Sequence, residues 1–400
     1  MNSRSLVLKP SSVAPLFYFG TLVSSVGSFA FNVALIAFML RSGFHLGEAS
    51  LIIAAQRFLP VLINAAWGHL TDSFSPCAIV AIAEGIAALS SVCLLIIWKG
   101  AGTSYFLLAT LCIVRAIVVA FQVGSRSKIT KYLSDESIVS NFRNAIWLNK
   151  ATQGATLFGG FAGWVIIHYF SFKTAIVFDA ITFLINGAIA FLIPNFEGYS
   201  KALNHFTLTW HQKFNDLFSF NRRSATLDIL LMIPMMGTVA FMARLAGSDQ
   251  SWIGIYMAGY GLAVWVSGYL ERGITTKVST FPFWIIMGAS FIALGQLHSP
   301  SIMTLVILFF RDLAFWIIFH RISGHIQMDT PADRTGSVMS ARNCIMTAIL
   351  TSGEVLVGVW SNYVPIAAES LVRGMFAASV GFYLFAMRVQ KTACVDRPAL

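Results

Sequence analysis

The chain has 400 residues, of which 57% are hydrophobic and only 11% charged, with a net charge of +10. Soluble chains carry about 25% charged residues, so the composition excludes a water-exposed fold of this size. The apolar content excludes a disordered chain, and five cysteines in this length exclude a small disulfide scaffold. What remains is a polytopic membrane protein with room for about twelve helical spans of about 20 residues.

Apolar runs of spanning length fall near 13–40, 47–70, 76–98, 104–123, 142–169 and 174–193. The first is too long for a signal-peptide core and lacks a small-residue cleavage site, so it is read as span 1. A polar stretch follows, Asn195–Ser224, carrying Lys201, Lys213, Asp216, Arg222 and Arg223 with Trp210, Phe214, Leu217 and Phe218. That mixture predicts an amphipathic connector on the membrane face. Six further runs lie near 226–247, 251–270, 281–298, 301–320, 337–361 and 366–387. No strand alternation competes. The expectation is an all-α fold of twelve transmembrane helices in two six-helix bundles, residues 1–194 and 225–400, joined by a cytoplasmic linker over 195–224.

Basic loop residues set the orientation. With both termini inside, sixteen fall on inside loops and tails: Arg4, Lys9, Arg126, Lys128, Lys131, Lys201, Lys213, Arg222, Arg223, Arg272, Lys277, Arg321, Arg334, Arg388, Lys391 and Arg397. Four fall outside: Arg41, Lys99, Lys173 and Arg244. The bias predicts a bacterial inner-membrane protein with both ends cytoplasmic, and it accounts for the net charge without nucleic acid.

The halves repeat. Gly68-His69-Leu70-Thr71-Asp72 ends span 2 and Gly268-Tyr269-Leu270-Glu271-Arg272 ends span 8, an offset of 268 − 68 = 200. Arg115 in span 4 and Arg311 in span 10 are offset by 311 − 115 = 196. Arg143-Asn144 and Arg342-Asn343 open spans 5 and 11, offset by 342 − 143 = 199. Six spans per half make this a parallel duplication, an arrangement found in secondary transporters.

These markers resemble the major facilitator superfamily across essentially the whole chain. Gly68, Leu70 and Asp72 fit its G-x-L-x-D loop, although Ser73-Phe74-Ser75-Pro76 replaces the usual basic residues. Arg115 fits its span-4 arginine. Gly159-Gly160-Phe161-Ala162-Gly163 is similar to the span-5 glycine pattern of its exporters, with Gly160 in the proline position. Phe121-Gln122, Asn141, Asn144, Phe178-Asp179-Ala180-Ile181-Thr182-Phe183 and Pro331-Ala332-Asp333-Arg334-Thr335-Gly336 look like the enterobactin-exporter and macrolide-efflux branch. The resemblance implies a central cavity lined by spans 1, 4, 7 and 10, and proton-driven efflux of a small amphipathic compound. It also implies a gating set of Gly68, Asp72, Glu84, Gly159, Gly160, Gly163 and Gly268.

Charges within the spans are the functional candidates, since each costs about 2.5–3.5 kcal/mol at a helix centre. Arg115 is expected to face substrate or a proton-carrying partner. Arg311 and Asp312 are adjacent and so point about 100° apart, with Asp312 the titratable member. Arg57 shares a face with Asn64. Glu84 is expected at the cytoplasmic end of span 2, Lys150 and Glu354 are candidates to pair, and Asp179 reads as structural. Asn32 is expected at the cavity, with Phe29, Phe31, Trp147, Phe241, Phe315 and Trp316 as aromatic walls. The basic set Arg57, Arg115, Lys150 and Arg311 leans toward an anionic substrate.

The sequence has no P-loop, H-E-x-x-H, C-x-x-C or G-x-S-x-G motif, so neither direct ATP coupling nor an enzyme is expected. No cofactor or metal is expected beyond a proton gradient. The expected partners are a small-molecule substrate and the lipid bilayer, and the chain is expected to be a monomer. Export of a siderophore or drug leads. Uptake of a metal chelate or organic anion, and a non-transporting sensor or scaffold, are the alternatives.

Overall fold

The structure is a computed structural model and describes residues 10–67, 75–98, 102, 104–133, 138–193, 210–273, 279–297, 299–331 and 334–395. Gly68 and Asp72, and the side chains of Trp147 and Lys150, lie outside the described residues.

Hydrocarbon offers the backbone no partner, so apolar runs of this length become helices. The first six are α1 (Pro10–Arg41), α2 (Leu46–Trp67), α3 (Pro76–Ile97), α4 (Tyr105–Tyr132), α5 (Ile138–Tyr169) and α6 (Phe172–Leu192). Then come α7 (Trp210–Met232), a 3-10 turn at Ile233–Met235, α8 (Thr238–Ala246), α9 (Trp252–Gly273), α10 (Phe281–Leu294), α11 (Ile302–Asp329), α12 (Thr335–Trp360) and α13 (Ile366–Val395). No strand occurs among the described residues. Among the described residues, ten helical segments are long and apolar enough to cross a membrane, and α10 is a shorter apolar helix of 14 residues.

The chain forms two compact units, Met1–Thr207 with Gln250–Gly261, and Leu208–Asp249 with Leu262–Leu400. In the first, α1 packs on α5 and α6, α3 on α6 and α4, and α2 on α4. In the second, α7 and α8 pack on α12, and α10 packs on α13 and α11. The pairings of α1 with α5, α3 with α6 and α3 with α4 thus recur as α7 and α8 with α12, α10 with α13 and α10 with α11, as an internal duplication requires.

The span-5 glycines are contact points. A Cβ on Gly159 would lie 2.5 Å from Phe29 Cβ and 2.9 Å from the Val26 carbonyl oxygen, and one on Gly163 would lie 2.9 Å from Val33 Cβ. Both sit one turn apart on the α5 face against α1. Gly160 points elsewhere, 2.6 Å from the Ala258 backbone nitrogen of the first part of α9. Small residues let helix backbones approach where no hydrophobic force drives them together. Gly159→Val is expected to destabilise the protein by about 1–3 kcal/mol or more through overpacking, read as a lowered midpoint of thermal unfolding in detergent. An unchanged midpoint would refute the contact. Gly268 differs, being exposed with open space around its Cβ position.

The helices depart from expectation in three places. First, α4 runs to Tyr132, well past 123, so Arg126 is a helical residue and buried rather than in a loop. Second, α7 breaks at Asn221 (φ −134°, ψ 30°), where the connector becomes the span. Third, span 7 is interrupted. Pro234 and the left-handed Gly237 (φ 64°) split it into the end of α7 and α8.

That interruption frees backbone groups that a membrane interior cannot leave bare. Glu354 of α12 accepts hydrogen bonds from the Val239 and Ala240 amides at 3.1 and 3.0 Å, capping α8. An anion at a helix N-terminus is also favoured by the helix dipole. Arg373 of α13 donates to the Pro234 carbonyl at 2.6 Å. Glu354 thus serves the backbone of its own unit, a role the sequence reading did not give it.

Candidate substrate site

A cavity of about 210 Å³ opens among α1, α2 and α4 of the first unit. From α4 it is lined by Arg115, Val119, Gln122 and Arg126, with Ala116 beside them. Steps of four, three and four residues put these on one helix face. From α1 come Ser25, Ser28, Phe29 and Asn32, with Ser24 at the edge, again at helical spacing. Gln56 closes it from α2. Hydroxyls, amides and two guanidinium groups share the walls with Phe29, Ala116 and Val119.

Several buried polar atoms here lack a hydrogen-bond partner among the described residues: Asn32 Oδ1, Gln56 Oε1, Gln122 Nε2 and Arg126 Nε. Buried polar groups are nearly always satisfied. Two acceptors and two donors left open around one cavity are what a ligand or ordered water would complete.

Each guanidinium is anchored on its far side. Arg115 Nη2 donates to Asp179 Oδ1 of α6 at 2.9 Å, and Nη1 lies 2.9 Å from Oδ2 without hydrogen-bond alignment. Ser91 of α3 donates to the same carboxylate at 2.8 Å. The Arg115 guanidinium lies 3.8 Å from the centre of the Phe31 ring, a cation–π contact. Arg126 Nη2 donates to Glu84 Oε1 of α3 at 2.7 Å and to Ser24 Oγ at 3.3 Å. Ser24 Oγ donates to the Glu84 carboxylate at 3.0–3.1 Å, and Asn186 of α6 donates to Oε1. Helices α1, α3, α4 and α6 therefore meet at one fully buried carboxylate.

The described partners of Glu84 are on α1, α4 and α6; the end of span 2, where it was expected, lies outside the described residues. Asp179, read as structural, is the direct partner of Arg115. Asn32, Phe29 and Arg115 come together as expected, with Phe31 behind Arg115. Arg57 is half-buried on α2 and does not line the cavity; its neighbour Gln56 does. Ser24, Ser25, Ser28, Gln56, Gln122 and Arg126 were missed as site residues. The run Ser24-Ser25-Val26-Gly27-Ser28 was the available signal, since hydroxyls three and four apart mark a polar stripe in an apolar helix.

The second unit carries a different arrangement. Arg311 and Asp312 face each other after all: Arg311 Nη2 and Nε donate to Asp312 Oδ1 at 2.6 and 2.9 Å. Adjacent helical positions diverge, but the flexible arginine stem folds back across that angle. Both residues are fully buried. The Arg311 and Arg373 guanidinium groups flank the Phe241 and Phe291 rings at 5.1–6.0 Å. Glu369 bridges Arg373 and Arg244. Arg342 pairs with Asp228 at 2.6 and 3.0 Å, a pair the sequence reading did not propose. Phe315 is buried, and Trp316 packs against Phe315, Phe319 and His320. Arg115, Arg126, Arg244, Arg311, Arg342 and Arg373 each meet a carboxylate. Of the basic set that leaned toward an anionic substrate, Arg115 and Arg311 each pair with a carboxylate, Arg57 lies off the cavity, and the side chain of Lys150 lies outside the described residues.

By structure, the chain is similar to nucleoside transporter NupG, with a TM-score of 0.68 at 14% identity over 94% of this chain and 98% of that one. It is similar to a POT family transporter in complex with thioalcohol conjugated peptide, with a TM-score of 0.73 at 12% identity over 94% and 96%. It is also similar to a bacterial homolog of the human lysosomal transporter Spinster, in an inward-facing and unoccupied conformation, with a TM-score of 0.65 at 14% identity over the full length of both. At these identities the likeness is one of fold. No curated protein matches by sequence. Residues 17–353 match the Major Facilitator Superfamily, and with the duplicated six-helix architecture and the transporter fold this places the chain in that superfamily.

Proposed function

We propose that the chain is a secondary active transporter that exports a small amphipathic compound rich in hydrogen-bonding groups, such as a siderophore or drug, by proton-coupled alternating access. It acts in a bacterial inner membrane with both termini cytoplasmic. The observation that carries this reading is the cavity among α1, α2 and α4, whose open donors and acceptors sit beside two buried ion pairs. Hydroxyl and amide walls suit a neutral polar ligand, and Phe29 offers it an apolar face. Because Arg126 lines the cavity and holds Glu84, a proton arriving at Glu84 would loosen Arg126 toward the ligand. The Gly159–Gly163 stretch favours export over uptake.

The test is export from proteoliposomes under an imposed proton gradient, using a labelled catecholate siderophore and an amphipathic dye. Gln122→Leu is expected to raise the half-saturation concentration about tenfold, since one lost buried hydrogen bond is worth about 1.4 kcal/mol. Unchanged half-saturation in both Gln122→Leu and Asn32→Leu would sink this cavity as the site. Import of the probes into right-side-out vesicles would reverse the direction.

A further inference from the structure

The second unit contains a larger cavity that the transport reading does not use. It is a groove of about 570 Å³ between α7 and α13, within the range of about 300–1,000 Å³ usual for ligand pockets. Leu227 and Leu230 form one wall, and Val380, Leu384 and Met387 the other. The two helices are tied together past one end of the groove, where Arg373 of α13 bonds the Pro234 carbonyl that follows α7. The groove residues precede Pro234 on α7 and follow Arg373 on α13, so the two helices run antiparallel away from that tie. At the opposite end stand Arg222 and Arg223, immediately after the Asn221 break.

These two arginines differ from the other described arginines of their unit. Arg244, Arg311, Arg334, Arg342 and Arg373 each pair with a carboxylate, and Arg321 lies over the Phe283 ring. Arg222 and Arg223 are exposed and have no carboxylate partner among the described residues. Tyr383, 61% exposed, lines the groove near them, where an aromatic with a polar tip suits a membrane–water boundary.

We propose that this groove binds an anionic phospholipid. The phosphate is held by Arg222 and Arg223, and one acyl chain lies along Leu227, Leu230, Val380 and Leu384. Guanidinium groups match phosphate oxygens in pairs of parallel hydrogen bonds. Basic pockets between spans at the headgroup level recognise anionic lipids in this manner. The apolar slot gives the lipid residence, and the two exposed guanidinium groups give it selectivity.

The experiment uses the full chain in nanodiscs of phosphatidylcholine with or without phosphatidylglycerol, followed by native mass spectrometry and thermal unfolding. The wild-type protein is expected to retain phosphatidylglycerol in preference to phosphatidylcholine and to unfold at a higher temperature in its presence. R222Q/R223Q, altered at exposed positions, is expected to lose both effects while unfolding normally in phosphatidylcholine. Leu230→Trp, which fills the deep end, is expected to lose the retained lipid with both arginines present. Equal retention of the two lipids overturns the proposal. So does preference surviving in R222Q/R223Q, retention surviving in Leu230→Trp, or glycerol phosphate alone reproducing the shift. Because the readout is lipid retention, failure of the transport reading would leave this result unaffected.

Discussion

Asp179→Asn is expected to destabilise the detergent-solubilised protein by about 3–5 kcal/mol, the cost of stranding one partner of a buried ion pair. Asp179 is fully buried and Arg115 is 6% exposed. The guanidinium stays charged at any working pH, so it cannot escape by losing its proton. Ser91 and the Phe31 ring cannot replace the carboxylate, since one is neutral and the other offers only a cation–π contact. The double substitution R115L/D179L separates bracing from transport. Replacing a buried pair by apolar residues is often neutral or even stabilising, by about 1–4 kcal/mol. The double variant is therefore expected to regain most of the lost unfolding midpoint. Its export is expected to stay abolished, because the cavity has lost a wall and a donor. Wild-type stability in Asp179→Asn would mean the pair does not brace the unit. Export by the double variant would mean that Arg115 lies outside the substrate path.

The architecture was readable because its causes are local. Spanning length, the charge asymmetry of loops and the 196–200 residue offset between Arg115, Gly68 and their counterparts need no knowledge of neighbours. Asn32 and Arg115 were found for a related reason: a polar side chain in hydrocarbon declares itself. Partners were harder. Helical periodicity shows which residues share a face but not which helix that face meets, so Arg115–Asp179 and Arg342–Asp228 emerged only in three dimensions. Arg126 was lost to a boundary. Hydropathy falls from Gln122 through Ser125, Arg126, Lys128 and Lys131, and the falling signal reads as a loop although α4 continues to Tyr132. The break in span 7 had a signal that went unused. Pro234 and Gly237 lie three residues apart in a largely apolar run, and such a pair marks an interrupted helix. Had the break been expected, Glu354 would have been sought as its cap. The Arg311–Asp312 contact shows the limit of angular reasoning, because a long side chain can cross the angle that separates two backbone positions.

Glu84→Gln is expected to uncouple transport from the proton gradient. Gln keeps the size of the side chain and an oxygen for Ser24 and Asn186 but has no charge to give or take. Counterflow of labelled substrate needs only alternating exposure of the cavity, so it should persist. Acceleration by an imposed proton gradient needs a group that changes charge, so it should vanish. Stability should fall less than in Asp179→Asn. Arg126 retains Ser24 and Ser25 as acceptors at 3.3 and 3.5 Å, whereas Arg115 has no acceptor besides Asp179 among the described residues. The comparison with Asp312→Asn is decisive for which carboxylate couples. Asp312 holds its own neighbour in the core of the second unit, so its loss should cost stability through a stranded Arg311. Yet it should leave gradient acceleration intact in the protein that folds. If Asp312→Asn abolishes acceleration and Glu84→Gln preserves it, the proton site lies in the second unit, and the Glu84–Arg126 pair is a brace.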